Sequence, residues 1–350
     1  MSRLRSGLIR TAFNALHFSG LHRVMRPVFG GVGVIFMLHH VRPQAPGAFR
    51  PNAHLEITPE FLRATLRHVR SLGIDIVSID EARQRMTTMD FGRRFACFGF
   101  DDGYRDNRDH ALPVMREFAA PFTVYVTDAF ASGRPGLWWI GLERVLAKAG
   151  SVEIEIDAHT IEADCHSLAA KEAAFIRLRN AIAAKGDAAA CAAVGRLCVR
   201  HGMDYAALAS EFCLSWEELK PFSDDPLVTI GSHAVSHGNI ARMSADGARS
   251  EIFGSRDLIE TTLQKPVRHM AYPYGDKSAA GAREFALAAE AGFLTAVTTR
   301  PGMIFPENTE HMTALPRVSV NGNFQDERFL PVLISGTATA MWNGFRRVSV

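Results

Sequence analysis

A β/α barrel is the fold class that this sequence predicts, on three observations. Short apolar runs alternate with amphipathic helical stretches along most of the 350 residues, the alternation repeats seven or eight times, and polar clusters recur at the carboxyl ends of the runs. Strands separated by helices need crossover connections and therefore pair in parallel. So many consecutive units favour a closed barrel over an open sheet.

The first strand spans 32–41 (VGVIFMLHHV) and ends in two histidines. Residues 58–73 (TPEFLRATLRHVRSLG) read as a helix. Thr58 is the N-cap, Pro59 takes the first helical position, Phe61, Leu62, Thr65, Leu66 and Val69 form the apolar face, and Gly73 closes the last turn. A strand over 74–79, a short helix from Asp80 and a strand over 94–100 (RFACFGF) follow. A helix after Asp106 leads into a strand at 122–127. The rhythm resumes with a strand at 227–234, a helix around 244–263, a strand at 267–274, a helix across 279–291, and strands at 293–299 and 313–320.

Residues 133–222 break the pattern. They open with RPGLWWIGLERVLAKAG, continue with VEIEIDAHTIEADC, which alternates like a β-hairpin, and end in alanine-rich helical runs. An insertion of this length is a subdomain rather than a loop. The expected organisation is a basic amphipathic segment (1–30), a barrel from 31–132 and 223–322, a mainly helical insertion (133–222) between the fourth and fifth strands, and a C-terminal extension (323–350).

With 22% charged residues and no biased tracts, the chain reads as globular, and a net charge of +2 gives no global argument for nucleic-acid binding. Residues 1–55, however, hold seven arginines and no acid. The start is interrupted by basic residues too often for a cleavable signal. Leu4, Leu8, Ala12, Ala15 and Leu16 follow helical spacing with Arg3 and Arg10 off that face, which suits a surface helix, a peripheral membrane contact or a targeting segment. Five cysteines without a CxxC pair point to reduced thiols, and no apolar run is long enough to span a bilayer. The expected location is the cytoplasm or the inner face of a membrane.

The residues that could carry chemistry sit at predicted strand ends, where α/β folds gather their sites. They are His39-His40, Asp101-Asp102, His233 and His237 in GSHAVSHGN, Tyr272-Pro273-Tyr274-Gly275, and Arg317 in the last strand. Each has a plainer reading: two acids capping a helix, histidines satisfying hydrogen bonds, a turn, and for Trp138-Trp139 a place in a core. Together they make a specific proposition. Imidazoles spaced i, i+4 reach one metal from the same side, and one carboxylate completes a two-His, one-Asp set with open positions. Asp102 would hold the metal and Asp101 would be the base, with Gly103 permitting the turn that separates them.

FGFDDGYRDN, GSHAVSHGN and AYPYGD resemble, in order and wide spacing, the first three motifs of the NodB-homology polysaccharide deacetylases, carbohydrate esterase family 4. PEFLRATLRHVRSLGIDIVSIDEA resembles the segment before the first motif, and VIFMLHHVRP resembles the start of the poly-N-acetylglucosamine deacetylase branch. The resemblance covers about 30–130 and 220–320. It implies a distorted (β/α)7 barrel and metal-dependent removal of an N-acetyl group from an amino sugar, oligosaccharide or polysaccharide. Asp101 then corresponds to the general base, Asp102, His233 and His237 to the metal ligands, and the Tyr274 backbone N–H to the oxyanion donor. Zn²⁺ is the expected cation, with Co²⁺, Ni²⁺ or Fe²⁺ suited to the same donors.

Three positions depart from the family. Ala234 stands where Ser or Thr is usual. Ala271-Tyr272 replaces the arginine that steadies the base, leaving Arg317 or Arg268 to supply a guanidinium. The late Leu-x-His motif reads LPR, so the proton donor is expected to be His39, matching the histidine of a YH pair, with His40 in reserve. Tyr272, Pro273, Trp138 and Trp139 are the expected substrate contacts. The rival readings are a deacylase of a lipid-linked amino sugar at a membrane surface and a glycan-binding barrel without activity.

Overall fold

A computed structural model describes residues 3–156 and 159–348, with side chains described from residue 7 onward. The chain opens with helices α1 (Arg3–Phe18) and α2 (Leu21–Phe29) and then enters strand β1 (Gly33–Leu38). A short pair, β2 (His40–Val41) and β3 (Glu56–Ile57), precedes α3 (Pro59–Ser71), β4 (Asp75–Ile76), α4 (Ile79–Thr87) and β5 (Phe95–Phe100). Then come α5 (Leu112–Glu117), β6 (Phe122–Val126) and α6 (Asp128–Ala131). The stretch that breaks the sequence rhythm contributes α7 (Trp138–Lys148), the hairpin β7 (Ser151–Ile156) and β8 (His159–Asp164), α8 (Leu168–Ala183), α9 (Asp187–Arg200), α10 (Ala207–Phe212) and α11 (Trp216–Phe222). The barrel resumes with β9 (Val228–Ser232), α12 (Ala245–Leu263), β10 (His269–Ala271), α13 (Ala282–Glu290), β11 (Thr295–Pro301) and β12 (Leu315–Ser319). Helices α14 (Leu330–Ile334) and α15 (Thr337–Trp342) end it.

The strands pair in parallel in the order β1-β12-β11-β10-β9-β6-β5, and β5 returns to β1 over its whole length, from Gly33 opposite Phe95 to Leu38 opposite Phe100. This is the closed seven-stranded barrel with outer helices that the sequence predicts. It is distorted at two places. Strands β9 and β10 meet only at Met270 and Ser232, and the β11–β12 register shifts between Val297 and Pro301.

Several expectations need correction. The strand expected over 74–79 reduces to Asp75–Ile76, which shares the outer edge of β5 with β6. Ser78 instead caps α4, accepting a hydrogen bond from the Glu81 amide, so a cap residue overrides strand propensity. The helix after Asp106 begins with a π-helical turn over Asn107–Ala111. The N-terminal helix exists, but with a different inner face. Phe13 and Leu16 are buried and Ile9 packs beside them, while Leu8, Ala12 and Ala15 of the expected apolar stripe face outward. The side chains of Arg3 and Leu4 lie outside the described residues. Phe13 meets the rings of Phe324 and Phe329, so a C-terminal partner that no local periodicity shows decides which face turns in.

Predicted capping does hold for α3, where Thr58 accepts from the Phe61 amide and Phe61, Leu62, Thr65, Leu66 and Val69 are all buried. One apolar cluster lies between the barrel and its helices, and a second, built on α7, α8, α9 and the β7–β8 hairpin, fills the interior of the interrupting segment. Among the described residues no helix is long and apolar enough to cross a membrane.

Candidate active site

The carboxyl ends of β1, β5, β9, β10 and β12 converge, and the backbone there is bent in ways that side chains resist. Asp102, Ala234, His237 and Tyr274 all adopt positive φ, at 74°, 61°, 62° and 60°, half of the eight non-glycine residues described with that geometry. Left-handed backbone at non-glycine residues costs energy and concentrates where function over-determines the chain. Gly103, φ 70°, continues the turn after Asp102, so adjacent aspartates leave the strand end in different directions.

Asp102, His233 and His237 come together with one donor atom each, all within 4.8 Å of one another. His233 Nε2 and His237 Nε2 lie 3.4 and 3.2 Å from Asp102 Oδ1. His233 Nδ1 stands 2.7 Å from the Ala271 carbonyl, which takes its proton and leaves the Nε2 lone pair facing the aspartate. The His233 backbone is itself pinned, its amide donating to the Val126 carbonyl and its carbonyl accepting from Thr127 Oγ1. Yet Asp102 Oδ1 and His233 Nε2 are buried without a hydrogen-bond partner. Buried polar atoms are rarely left so. Burial works against ionisation of Asp102, but the charge of His237 outweighs it and holds the carboxyl well below its ordinary range; in return Asp102 raises His237 against the same burial. The ring of His237 is walled by Phe130, Trp139 and Tyr274 at centroid distances of 5.6, 5.2 and 5.2 Å.

Asp101 points elsewhere. Arg317 Nη1 and Nη2 each donate at 2.7 Å to its two oxygens, and Arg317 Nε donates to the Thr298 carbonyl. Both partners are buried. Burial alone would raise the Asp101 pKa; the guanidinium reverses this and lowers it. Arg268, the other candidate, is an exposed residue 3.8 Å from Asp80.

The two adjacent histidines separate. His39 Nε2 lies 3.9 Å from Asp101 Oδ2 with the side chain 20% exposed, and burial lowers its pKa despite the two aspartates. His40 turns away, its Nδ1 2.6 Å from Asp106 Oδ2 and its ring stacked on Tyr104. Asn107 Nδ2 donates to the His39 carbonyl at 2.7 Å. Sequence reasoning passed over Asp106 and Asn107, although both follow Asp102 within DDGYRDN, where polar residues on the first turn of an inward helix were the available signal.

Tyr274 stands at the same pole with φ 60°, and among the described residues no protein acceptor takes the proton of its backbone amide. Its hydroxyl donates to Asp187 Oδ1 at 2.5 Å, and Asp187 Oδ2 accepts from the Asn239 amide at 2.8 Å. Asp187 opens α9, eighty-seven positions before Tyr274, and nothing in the local sequence marks it. Tyr272 is buried with its hydroxyl donating to the Thr313 carbonyl, and Pro273 is buried beside it. Trp138 and Trp139, at 5% and 8% exposure, lie in the second apolar cluster, where neither offers an open ring face. Ala234 is buried, and its amide donates to Ser232 Oγ at 3.3 Å.

The polysaccharide deacetylase family profile matches residues 89–294. Among solved structures, the Streptococcus pyogenes deacetylase PplD in complex with acetate is similar at TM-score 0.54 and 17% identity, over 83% of this chain and 92% of that one. A putative polysaccharide deacetylase from Bacillus anthracis gives 0.52 and 14%, over 85% and 67%. IcaB from Ammonifex degensii gives 0.51 and 15%, over 83% and 93%. At such identities the likeness is one of fold. Comparison with curated proteins gives no match.

Proposed function

The chain belongs to the polysaccharide deacetylase family, and from that premise we propose that it is a metal-dependent hydrolase that removes the N-acetyl group from an amino sugar within a glycan. One observation carries the reading. An Asp-His-His cluster, with Asp102 and His233 buried and holding unpartnered ligand atoms, stands beside a second aspartate that a two-pronged arginine keeps ionised.

The residues fit a divalent cation. Two imidazole nitrogens and one carboxylate oxygen converge, and the Ala271 carbonyl fixes the tautomer of His233. This donor set suits Zn²⁺ and leaves coordination positions open. A cation held by Asp102, His233 and His237 would supply Lewis acidity, polarising the acetamide carbonyl and acidifying a water.

The protein's own groups do the rest. Asp101, held as a carboxylate, accepts the proton of the attacking water at one of its oxygens. The Tyr274 amide donates to the oxyanion that forms on the acetyl carbonyl. His39, 3.9 Å from Asp101 and the more exposed of the two, passes a proton to the departing amine. The aromatic walls around His237 keep bulk water from that side.

The test is acetate release from N-acetylglucosamine oligomers of increasing length by chelator-stripped protein, with and without Zn²⁺ or Co²⁺. Activity that returns with metal and falls by about 10²–10⁴-fold in Asp101→Asn and His39→Gln is expected. Metal-independent acetate release, or undiminished rates in Asp101→Asn, would sink the proposal.

A further inference from the structure

Helix α2 ends immediately before β1, at the pole where the barrel strands begin, whereas the candidate site stands where they end. Six residues of β1 separate the two poles by about 20 Å. Arg94, just before β5, fixes the C-terminal helices to the same pole by donating to the carbonyls of Gly30, Gly31 and Ile334. Phe29 and Phe345 bring α2 and the turn after α15 together at 5.7 Å between ring centroids.

This pole is apolar where a water-facing surface should not be. Val24 is 74% exposed, Phe18 71%, Trp342 58% and Phe345 56%, and Leu21 and Val28 are exposed beside them. Arg23, on α2, and Arg346 and Arg347, directly after Phe345, are exposed as well. Among the described residues Arg347 lies 3.9 Å from Glu307, and residues 1–55 contain no acid. Scattered apolar residues on a surface are ordinary, but Leu21, Val24 and Val28 share one face of α2 by their spacing, and the Phe29–Phe345 contact sets the turn after α15 against that helix.

We propose that the exposed apolar faces of α2 and α15 are an interfacial membrane-binding surface, on which the protein lies against an anionic bilayer with its catalytic mouth turned away. Aliphatic and aromatic side chains that enter the headgroup region, ringed by arginines that meet lipid phosphates, are the composition such a surface needs. A second copy is a poorer occupant, because a two-fold contact would set arginines against arginines. No described helix can cross the bilayer, so the surface lies on it rather than through it. The proposal is independent of the reaction. It also points to a substrate met away from the bilayer surface rather than one lying in the headgroups.

Flotation of the full chain with equimolar phosphatidylglycerol–phosphatidylcholine vesicles tests this, against phosphatidylcholine alone. The protein is expected to float with the anionic vesicles and to be released by high salt. Val24→Glu with Trp342→Glu should lower the bound fraction on the order of tenfold. Arg23→Gln with Arg346→Gln should lower it on anionic vesicles only. All four positions are exposed, so unchanged thermal melts would show that both double variants fold. Failure of the wild type to float on either vesicle would overturn the proposal, as would equal flotation of Val24→Glu/Trp342→Glu. A concentration-dependent dimer in sedimentation, lost in that variant and without flotation, would replace the bilayer with a second copy.

Discussion

A carboxyl group buried as deeply as Asp101 would ordinarily keep its proton, and a base that holds its proton accepts none. The forked contact from Arg317 reverses that tendency, which makes the arginine a positioning and charge-setting residue. Arg317→Lys keeps one charge and loses the fork, so kcat should fall on the order of tenfold or more while the protein still folds. Arg317→Ala leaves Asp101 unpaired in the interior and should cost about 3–5 kcal/mol in denaturant unfolding. Arg317→Ala with native stability and rate would remove Arg317 from this role. Asp128 behaves in the opposite way. Its Oδ1 accepts from Ser255, which in turn accepts from Ser232, but Oδ2 has no partner, and burial pushes its pKa up to about 8. The folded state therefore holds a proton that the unfolded chain gives up near pH 4. Stability from this group is full below that point, declines as pH rises towards 8, and is flat above. Asp128→Asn keeps a neutral acceptor for Ser255 and should melt progressively higher than the wild type between pH 5 and 8, by a few kcal/mol at most. Parallel melting curves across that range would show that Asp128 is ionised in the fold.

Helix α9 belongs to the segment that interrupts the barrel, yet its first residue ties two site loops together. Asp187 accepts from the Tyr274 hydroxyl and from the Asn239 amide, two residues after His237. In the proposed mechanism the Tyr274 amide must face the substrate carbonyl, and Asp187 is what anchors that residue, so Asp187→Ala should lower kcat on the order of tenfold with KM nearly unchanged. Tyr274→Phe removes the same hydrogen bond, and the double variant should be no slower than either single one. Additive losses would mean that the two residues act separately. This contact also marks where sequence reading stops. The barrel strands, α3 with its Thr58 cap and the clusters at the strand ends are local patterns, and all were legible. Asp187 was not, because its partners are brought to it only by the packing of the interrupting segment. The inner face of α1 was misread for the same reason, since Phe324 and Phe329 select it from more than three hundred positions away. Arg317 could be suspected as a lone cation in an apolar strand, but its two-pronged approach to Asp101 depends on the closing of β12 against β1.

At the scale of the whole molecule, the candidate metal ligands come from distant parts of the chain, Asp102 after β5 and His233 and His237 after β9. The unfolded chain holds no such cluster, so a cation that binds it binds the closed barrel and stabilises it by mass action. At a hundred times its dissociation constant the gain is about 2.7 kcal/mol. Zn²⁺ added to chelator-stripped protein should therefore raise the melting temperature by a few degrees, and Asp102→Asn should abolish the rise. The apo form of Asp102→Asn has its own forecast. Asp102 brings a buried carboxylate to two imidazoles it does not hydrogen-bond well, so neutralising it should cost the metal-free fold less than it costs the metal-loaded one. A melting rise that persists in Asp102→Asn would place the cation elsewhere, and a rise of the same size in His237→Ala would confirm that the cluster is not its site.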